Sequence, residues 1–191
     1  DLLTHPDKDK YDLSSFKELS GGGAPRPPEH VKKLKDGFKD AEPSIGYGLT
    51  ETNALGTINL GKSYLLHPGS CGRAVPPLTD VAIIDENWNF LEEPKTVGEI
   101  VIKSPANMVG YWMNQEATDE VFNDDGWFKS GDLGYIDDGF VYIVDRVKDM
   151  VIRGGENISC IEVETAIYNH PSVQEAAVFG IPEERLGETL C

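Results

Sequence analysis

The 191-residue sequence predicts an α/β protein with a β-barrel-like subdomain in its middle third. Short runs rich in valine and isoleucine, at 80–85 (DVAIID), 98–103 (GEIVIK) and 139–144 (GFVYIV), predict strands bounded by turn residues. Two Asp-Asp-Gly turns separate apolar segments in the same region. These observations place a β-rich subdomain at about 66–145, with helical segments before and after it.

The flanking elements are predicted from local patterns. A strand at 16–19 is followed by an amphipathic helix at 28–37 (PEHVKKLKDG), which has a proline near its start and a glycine at its end. After the β-rich region, 159–170 (SCIEVETAIYNH) predicts a helix that Pro171 ends. The last apolar run, 174–181 (QEAAVFGI), predicts a buried strand. Both ends of the chain are abrupt, so we expect both to be cuts.

Composition indicates a globular protein and excludes nucleic-acid binding. The formal net charge is −16, from 33 acidic and 17 basic residues, and such a field repels nucleic acid. No apolar run approaches the roughly 18 residues of a membrane span, and no charged-then-apolar leader opens the chain. Cys71, Cys160 and Cys191 form no metal-binding pattern, so we expect reduced thiols. We therefore expect a cytoplasmic protein without a transmembrane segment.

Two glycine-containing segments in the first third have the residue types of a nucleotide site. In 46–51 (GYGLTE), the Thr50 hydroxyl can donate to a phosphate oxygen, and Glu51 can hold Mg²⁺. The Tyr47 ring can stack on a base, and the glycines let the backbone approach a ligand. The glycines of 21–25 (GGGAP) form either a flexible loop or backbone that lies against a ligand. Taken alone, each segment also fits an ordinary turn.

A second pair of segments supplies a carboxylate and a cation. In 126–134 (GWFKSGDLG), Asp132 is suited to accept two hydrogen bonds from a ribose diol, or to cap a turn. In 145–158 (DRVKDMVIRGGENI), Arg146 is suited to phosphate or ribose oxygens, or to an ion pair with a neighbouring aspartate. These residues alone leave both interpretations open.

The order of the motifs is more specific than any one of them. The chain contains, in sequence, GGGAP, GYGLTE, PGSCGRAVP, GEIVIKSP, GYW, DGWFKSGDLG and DRVKDMVIRGGENI. Together they resemble the adenylate-forming (AMP-binding) superfamily, which includes acyl- and aryl-CoA ligases, firefly luciferase and the adenylation domains of peptide synthetases. The resemblance runs from about Ser20 to the last residue. It implies that 1–147 is the distal part of the large N-terminal domain, and that 148–191 is the hinge and the truncated start of the small α+β C-terminal lid domain.

The resemblance also implies roles for single residues. Tyr47 is expected to stack on adenine, while Thr50 and Glu51 are the expected catalytic residues, contacting phosphate and the magnesium ion respectively. Asp132 is expected to bind both ribose hydroxyls, and Arg146 to reach the ribose as well. The other implied positions are Gly23, Ala24, Pro25 and Gly46 at the nucleotide, Gly22, Gly46, Gly48 and Leu49 at the acyl pocket, and Lys148, Gly154, Gly155 and Asn157 at the hinge and thioester-forming region.

The implied reaction uses ATP, Mg²⁺ and CoA to convert a carboxylic acid to acyl-AMP and then to a thioester. GGGAP and GGENI resemble the forms of these motifs in fatty-acyl-CoA ligases, which implies a medium- or long-chain fatty acid as substrate. An aryl-CoA ligase, a carrier-protein-loading adenylation domain and a non-catalytic nucleotide-binding fragment stay open, and the sequence is compatible with a homodimer. The family's phosphate loop and adenylating lysine are not found among the 191 residues, so we expect this chain to be inactive by itself.

Overall fold

The computed structural model describes residues 2–24, 26–168, 170, 172–173 and 175–191, and these form three four-stranded β-sheets with four α-helices. This confirms the mixed α/β class. Among the described residues, no helix has the length and apolarity of a membrane span. The strands are β1 (Glu18–Leu19), β2 (Glu42–Tyr47), β3 (Thr57–Leu60), β4 (Arg73–Ala74), β5 (Asp80–Ile84), β6 (Gly98–Lys103), β7 (Phe128–Asp137), β8 (Phe140–Arg146), β9 (Val151–Arg153), β10 (Glu156–Ile158), β11 (Gly180–Glu183) and β12 (Gly187–Leu190), and the helices are α1 (Pro28–Gly37), α2 (Gly61–Leu66), α3 (Gln115–Val121) and α4 (Cys160–Tyr168).

The first sheet has the order β1-β2-β3-β4, with a parallel pair followed by antiparallel neighbours. Helix α1 connects the two parallel strands, and its bounds agree with the prediction, since proline begins it and glycine ends it. Val31 of α1, Ile45 of β2 and Tyr64 of α2 form a buried cluster. This cluster packs β2 against both helices, which fixes the position at which the segment after β2 begins.

The second sheet is an antiparallel meander in the order β5-β6-β7-β8, and it confirms the β-rich region predicted from the sequence. The three predicted strands are present, with ends displaced by at most two residues. Asp138 and Gly139 both have positive φ, which allows a two-residue hairpin turn between β7 and β8. Within the described residues the meander stays open, so the barrel-like subdomain is an open sheet rather than a closed barrel.

A short segment before β4 joins the first two sheets. The Cys71 N–H donates to the Val141 carbonyl at 3.0 Å, and the Val141 N–H donates to the Gly72 carbonyl at 2.8 Å. The Ser70 hydroxyl adds a hydrogen bond of 2.7 Å to the same Val141 carbonyl. Gly72 has φ of 107°, and a Cβ there would clash with the backbone of Ile58. This junction joins the segment between α2 and β4 to β8 of the meander.

The third sheet has the order β10-β9-β12-β11, and α4 lies within the helix predicted at 159–170. Ser159 caps α4, because its hydroxyl accepts the Glu162 N–H at 3.1 Å. Pro171, which we expected to end the helix, lies outside the described residues.

The buried strand predicted at 174–181 is wrong for most of its length. Residue 174 lies outside the described residues, β11 begins only at Gly180, and Phe179 is 55% exposed. Side chains of α4 bind part of this segment, since the Ala176 N–H donates to the Tyr168 hydroxyl at 3.2 Å and the Val178 N–H donates to the Glu164 carboxylate at 2.9 Å. Only Phe179, next to the first residue of β11, exchanges backbone hydrogen bonds with Cys191 among described residues 175–179.

Candidate active site

A cleft of about 990 Å³ lies between the end of the first sheet, the meander and the C-terminal segment. It brings together residues from four sequence motifs, and the first and last of these lie more than a hundred positions apart in the sequence. The predicted site residues that line it are Gly23, Ala24, Gly46, Tyr47, Gly48, Leu49, Thr50, Glu51, Asp132, Arg146 and Lys148.

Tyr47 and Asp132 form the link between the first sheet and the meander at this cleft. The Tyr47 hydroxyl donates to Asp132 Oδ2 at 2.6 Å. Burial raises the pKa of the Tyr47 hydroxyl, and the Asp132 charge raises that pKa further, so the phenol stays protonated and donates. The role of Tyr47 as a platform for adenine stays a prediction, but its hydroxyl has a defined partner.

Arg146 engages the other oxygen of the same carboxylate. Asp132 on β7 and Arg146 on β8 are cross-strand partners, and Arg146 Nε lies 3.4 Å from Asp132 Oδ1. The Asp132 side chain is only 9% exposed, whereas that of Arg146 is 64% exposed. A buried carboxylate is thus held by a phenol on one side and a solvent-facing guanidinium on the other. Each oxygen still has lone-pair capacity for a hydroxyl donor, which the predicted ribose contact requires.

The turn Thr50–Thr52, a short 3-10 helix after β2, carries the two predicted catalytic side chains. Thr52 fixes its entry, because Thr52 Oγ1 accepts the Leu49 N–H at 3.0 Å and donates to the Leu49 carbonyl at 3.2 Å. Thr50 is exposed and Glu51 is half-buried, and both line the cleft. The hydroxyl and the carboxylate are therefore available to a ligand there.

Glu51 is the candidate magnesium ligand. Its Oε1 accepts a hydrogen bond from the Tyr111 hydroxyl at 3.0 Å. In the described part of the chain, no group of three His, Cys, Asp or Glu residues could hold a metal by itself. Mg²⁺ usually binds one or two carboxylates together with substrate phosphates, so Glu51 fits an ion that arrives with a nucleotide. Burial raises the pKa of Tyr111, and the bond to Glu51 raises it further, which keeps the phenol a donor.

The glycine-rich segment before α1 lies against β2. The Gly46 N–H donates to the Gly21 carbonyl at 2.9 Å, and Gly22 forms a parallel bridge with Gly46. A Cβ on Gly22 would lie 3.0 Å from the Gly46 oxygen, so the close backbone approach favours glycine there. Gly22 thus supports the cleft wall without lining it, and Pro25 lies outside the described residues.

The residues predicted for the hinge region are not all near the cleft. Lys148 is exposed and lines it, in the turn between β8 and β9. Gly154 and Gly155 have positive φ and form the turn between β9 and β10, and Asn157 lies on β10. These three residues do not line the cleft in this conformation.

Motif reasoning missed three features of the cleft. Asp145 is 1% exposed, and its carboxylate accepts the Arg146 N–H at 2.8 Å and the Cys160 N–H at 2.5 Å, which ties β8 to α4. Arg26 and Tyr64 also line the cleft. Tyr111 reaches Glu51 from a distant loop. Asp145 directly after the apolar run of β8 was a usable sequence signal, whereas the others were not recognisable from local pattern.

The sequence matches known families along most of its length. Residues 1–112 match the sequence model of AMP-binding enzymes, and residues 162–191 match that of the AMP-binding enzyme C-terminal domain. The chain belongs to the AMP-binding enzyme family.

Three similar proteins are considerably longer than this chain. It is 44% identical to a long-chain-fatty-acid–CoA ligase of Bacillus subtilis, over 99% of this chain and 33% of that protein. It is 42% identical to a feruloyl-CoA synthase of Amycolatopsis, over 98% of this chain and 37% of that protein. The amide bond synthetase McbA of Marinactinospora thermotolerans superimposes with a TM-score of 0.89 at 32% identity, over 100% of this chain and 38% of that one. The chain thus spans about a third of the length of the curated relatives it matches.

Proposed function

We propose that the protein carrying this chain activates a carboxylic acid with ATP and transfers the acyl group to CoA. The observation that carries the proposal is the buried Asp132 carboxylate, held between Tyr47 and Arg146 on the wall of a cleft that also contains Thr50 and Glu51. We propose a medium- or long-chain fatty acid as the substrate, supported by the similarity to the Bacillus subtilis fatty-acid ligase.

In the first half-reaction, a carboxylate oxygen of the acid attacks the α-phosphorus of ATP, and the bond to pyrophosphate breaks. Asp132 accepts the ribose hydroxyls, which places the α-phosphate relative to Thr50. The Thr50 hydroxyl donates to a phosphate oxygen, and Glu51 holds the metal-bound nucleotide. Magnesium, when bound, offsets the negative charge that develops on the phosphate oxygens.

In the second half-reaction, the CoA sulfur attacks the acyl carbon and AMP leaves, while the thiol gives up its proton. Gly154, Gly155 and Asn157 lie outside the cleft in this conformation, so they reach the acyl group only if the C-terminal segment moves. We propose that the exposed Lys148 turn is the hinge of that movement and that the domain boundary lies at 147/148. The chain by itself is proposed to be inactive, because the family's phosphate loop and adenylating lysine are not among its residues.

The test is carboxylate-dependent ATP–pyrophosphate exchange on the full-length protein, across fatty acids of increasing length. We expect exchange with a medium- or long-chain acid. The exchange rate should fall at least roughly tenfold in Asp132→Asn, because a neutral amide accepts hydrogen bonds from the ribose hydroxyls less well than a carboxylate does. Asp138→Asn is the matched control, since Asp138 lies on the exposed β7–β8 turn. Absence of exchange with every acid would overturn the proposal and favour a non-catalytic nucleotide-binding protein.

One observation favours an aryl acid as the second candidate. Arg26 lines the cleft, and its guanidinium lies 5.9 Å from the Tyr64 ring centroid. Among the described residues, it donates one hydrogen bond, of 3.4 Å, to the Ser44 carbonyl. The Tyr64 hydroxyl is buried and has no hydrogen-bond partner among the described residues. A cation suits an oxygen-bearing ring better than an alkyl tail. The same exchange series with substituted cinnamates separates the two substrate classes, because an aryl-acid enzyme should respond to cinnamates and lose that response in Arg26→Leu. A separate assay of acyl transfer tests the acceptor: a requirement for a carrier protein in place of CoA identifies a carrier-loading enzyme.

A further inference from the structure

The loop between β6 and α3 reaches back to the turn that carries Glu51. The Tyr111 hydroxyl donates to Glu51 Oε1 at 3.0 Å, and the Met108 N–H donates to the Glu51 carbonyl at 2.6 Å. On the same turn, the Asn53 side-chain amide donates to the Ala106 carbonyl at 2.7 Å. Both the backbone and the side chain of Glu51 are therefore held by residues more than fifty positions away.

The loop is itself braced, so Tyr111 has a defined position. The Tyr111 N–H donates to Thr118 Oγ1 at 2.9 Å, and the Thr118 hydroxyl in turn donates to the Asn114 carbonyl at 2.9 Å. The Asn107 side-chain amide donates to the Ile102 carbonyl at 2.9 Å at the start of the loop. Thr118 is buried on α3. The loop is thus anchored at both ends before Tyr111 reaches Glu51.

This arrangement uses one oxygen of the carboxylate and leaves the other available. Oε1 is bound to Tyr111, while no described residue bonds Oε2. An exposed glutamate with no side-chain partner samples several rotamers, and binding a cation then costs conformational entropy. A hydrogen bond from a braced phenol removes much of that freedom before the ligand arrives.

We propose that Tyr111 is a positioning residue that orients Glu51 toward the metal-bound nucleotide, an inference that rests on the proposed role of Glu51. Tyr111 does not touch the metal or the reacting atoms. It acts on how well Glu51 binds the cation, and therefore on the cation dependence of the first half-reaction and not on the transfer to CoA.

The test is Mn²⁺ binding to the full-length protein, measured by electron paramagnetic resonance with an ATP analogue that resists cleavage between its α- and β-phosphates. Tyr111→Phe keeps the ring and removes the hydroxyl, so we expect the dissociation constant for Mn²⁺ to rise roughly tenfold, the effect of one lost hydrogen bond to a charged group. Glu51→Gln should weaken binding further. The Mg²⁺ concentration needed for half-maximal pyrophosphate exchange should rise in Tyr111→Phe and rise further in Glu51→Gln. The rate of thioester formation from supplied acyl-AMP should not change.

Two further variants keep the test decisive. Tyr135→Phe is the matched control, because in the described structure the Tyr135 hydroxyl makes no hydrogen bond and its ring stacks on Tyr142. Thr118→Val removes the hydroxyl that accepts the Tyr111 N–H and leaves the Tyr111 side chain unchanged. It should shift Mn²⁺ binding in the same direction even if Tyr111→Phe lowers stability.

The outcomes separate this inference from the role of Glu51. If Tyr111→Phe and Thr118→Val bind Mn²⁺ as Tyr135→Phe does, while Glu51→Gln binds it more weakly, Tyr111 has no positioning role and the assignment of Glu51 stands. If Glu51→Gln also binds Mn²⁺ normally, the assignment of Glu51 fails and the inference fails with it.

Discussion

The Tyr47 hydroxyl donates to the Asp132 carboxylate at 2.6 Å, although the two residues lie 85 positions apart on different sheets. The bond does two things at once. It joins the first sheet to the meander, and it orients the carboxylate that we propose binds the ribose. Stability and nucleotide binding are therefore expected to depend on the same contact.

Replacing Tyr47 by phenylalanine should lower the free energy of unfolding by about 1–3 kcal/mol, because a buried carboxylate loses a donor. The same variant should bind AMP more weakly, since Asp132 is then oriented by Arg146 alone. Urea unfolding and calorimetric AMP titration measure the two effects. Tyr135→Phe is the control, and equal losses in both variants would show that the bond to Asp132 contributes little.

Asp145→Asn should release α4 from the end of β8. The buried Asp145 carboxylate accepts two backbone N–H groups, one of them at the start of α4, and an amide presents one acceptor oxygen in place of two. We expect a loss of about 1–3 kcal/mol and faster hydrogen exchange in residues 151–191. Asp149→Asn changes an exposed aspartate in the turn that follows β8 and should leave exchange unchanged. Equal exchange in the two variants would contradict the prediction.

Gly48→Ala should distort the turn that carries Thr50 and Glu51. A Cβ at position 48 would clash with the backbone of Ala54, which a small side-chain movement cannot relieve. Overpacking of this kind costs about 1–3 kcal/mol. Gly69→Ala is the comparison, because its nearest neighbour would be 3.9 Å away. Thermal unfolding of both variants decides the point, and a stable Gly48→Ala protein would argue against a rigid turn.

Stability should fall as the pH rises above about 9, in part because of Cys71. Burial raises the pKa of the Cys71 thiol from its ordinary 9.0 to about 11. Between these values the unfolded chain releases the thiol proton and the folded chain retains it, so rising pH favours unfolding. The contribution is fully present below pH 9 and is lost by about pH 11, roughly 3 kcal/mol in total.

Urea unfolding at a series of pH values measures this slope. Cys71→Ala should reduce the fall in stability between pH 9 and 11. Cys191→Ala changes an exposed thiol and should leave the slope as it is. An unchanged slope in Cys71→Ala would assign the alkaline loss to other groups, among them Tyr47, whose pKa burial also raises.

Local pattern was sufficient wherever one element or one motif contained the whole answer. The bounds of α1 follow from proline at its start and glycine at its end, and the strands of the meander follow from valine- and isoleucine-rich runs between turns. The segment 174–181 has a similar apolar composition, but side chains of α4 bind the backbone of Ala176 and Val178, and the strand begins only at Gly180. Composition indicates what can be buried, and the neighbouring elements decide whether it is.

The sequence by itself determined the class of fold, the family resemblance and the residue types of the site, because these are properties of short segments and their order. Only the tertiary structure decided which of those residues meet. The bonds from Tyr47 to Asp132, from Tyr111 to Glu51 and from Asp145 to the start of α4 each join separate elements. Their geometry is set by how the sheets and helices pack, and packing depends on contacts between distant residues that no local periodicity records.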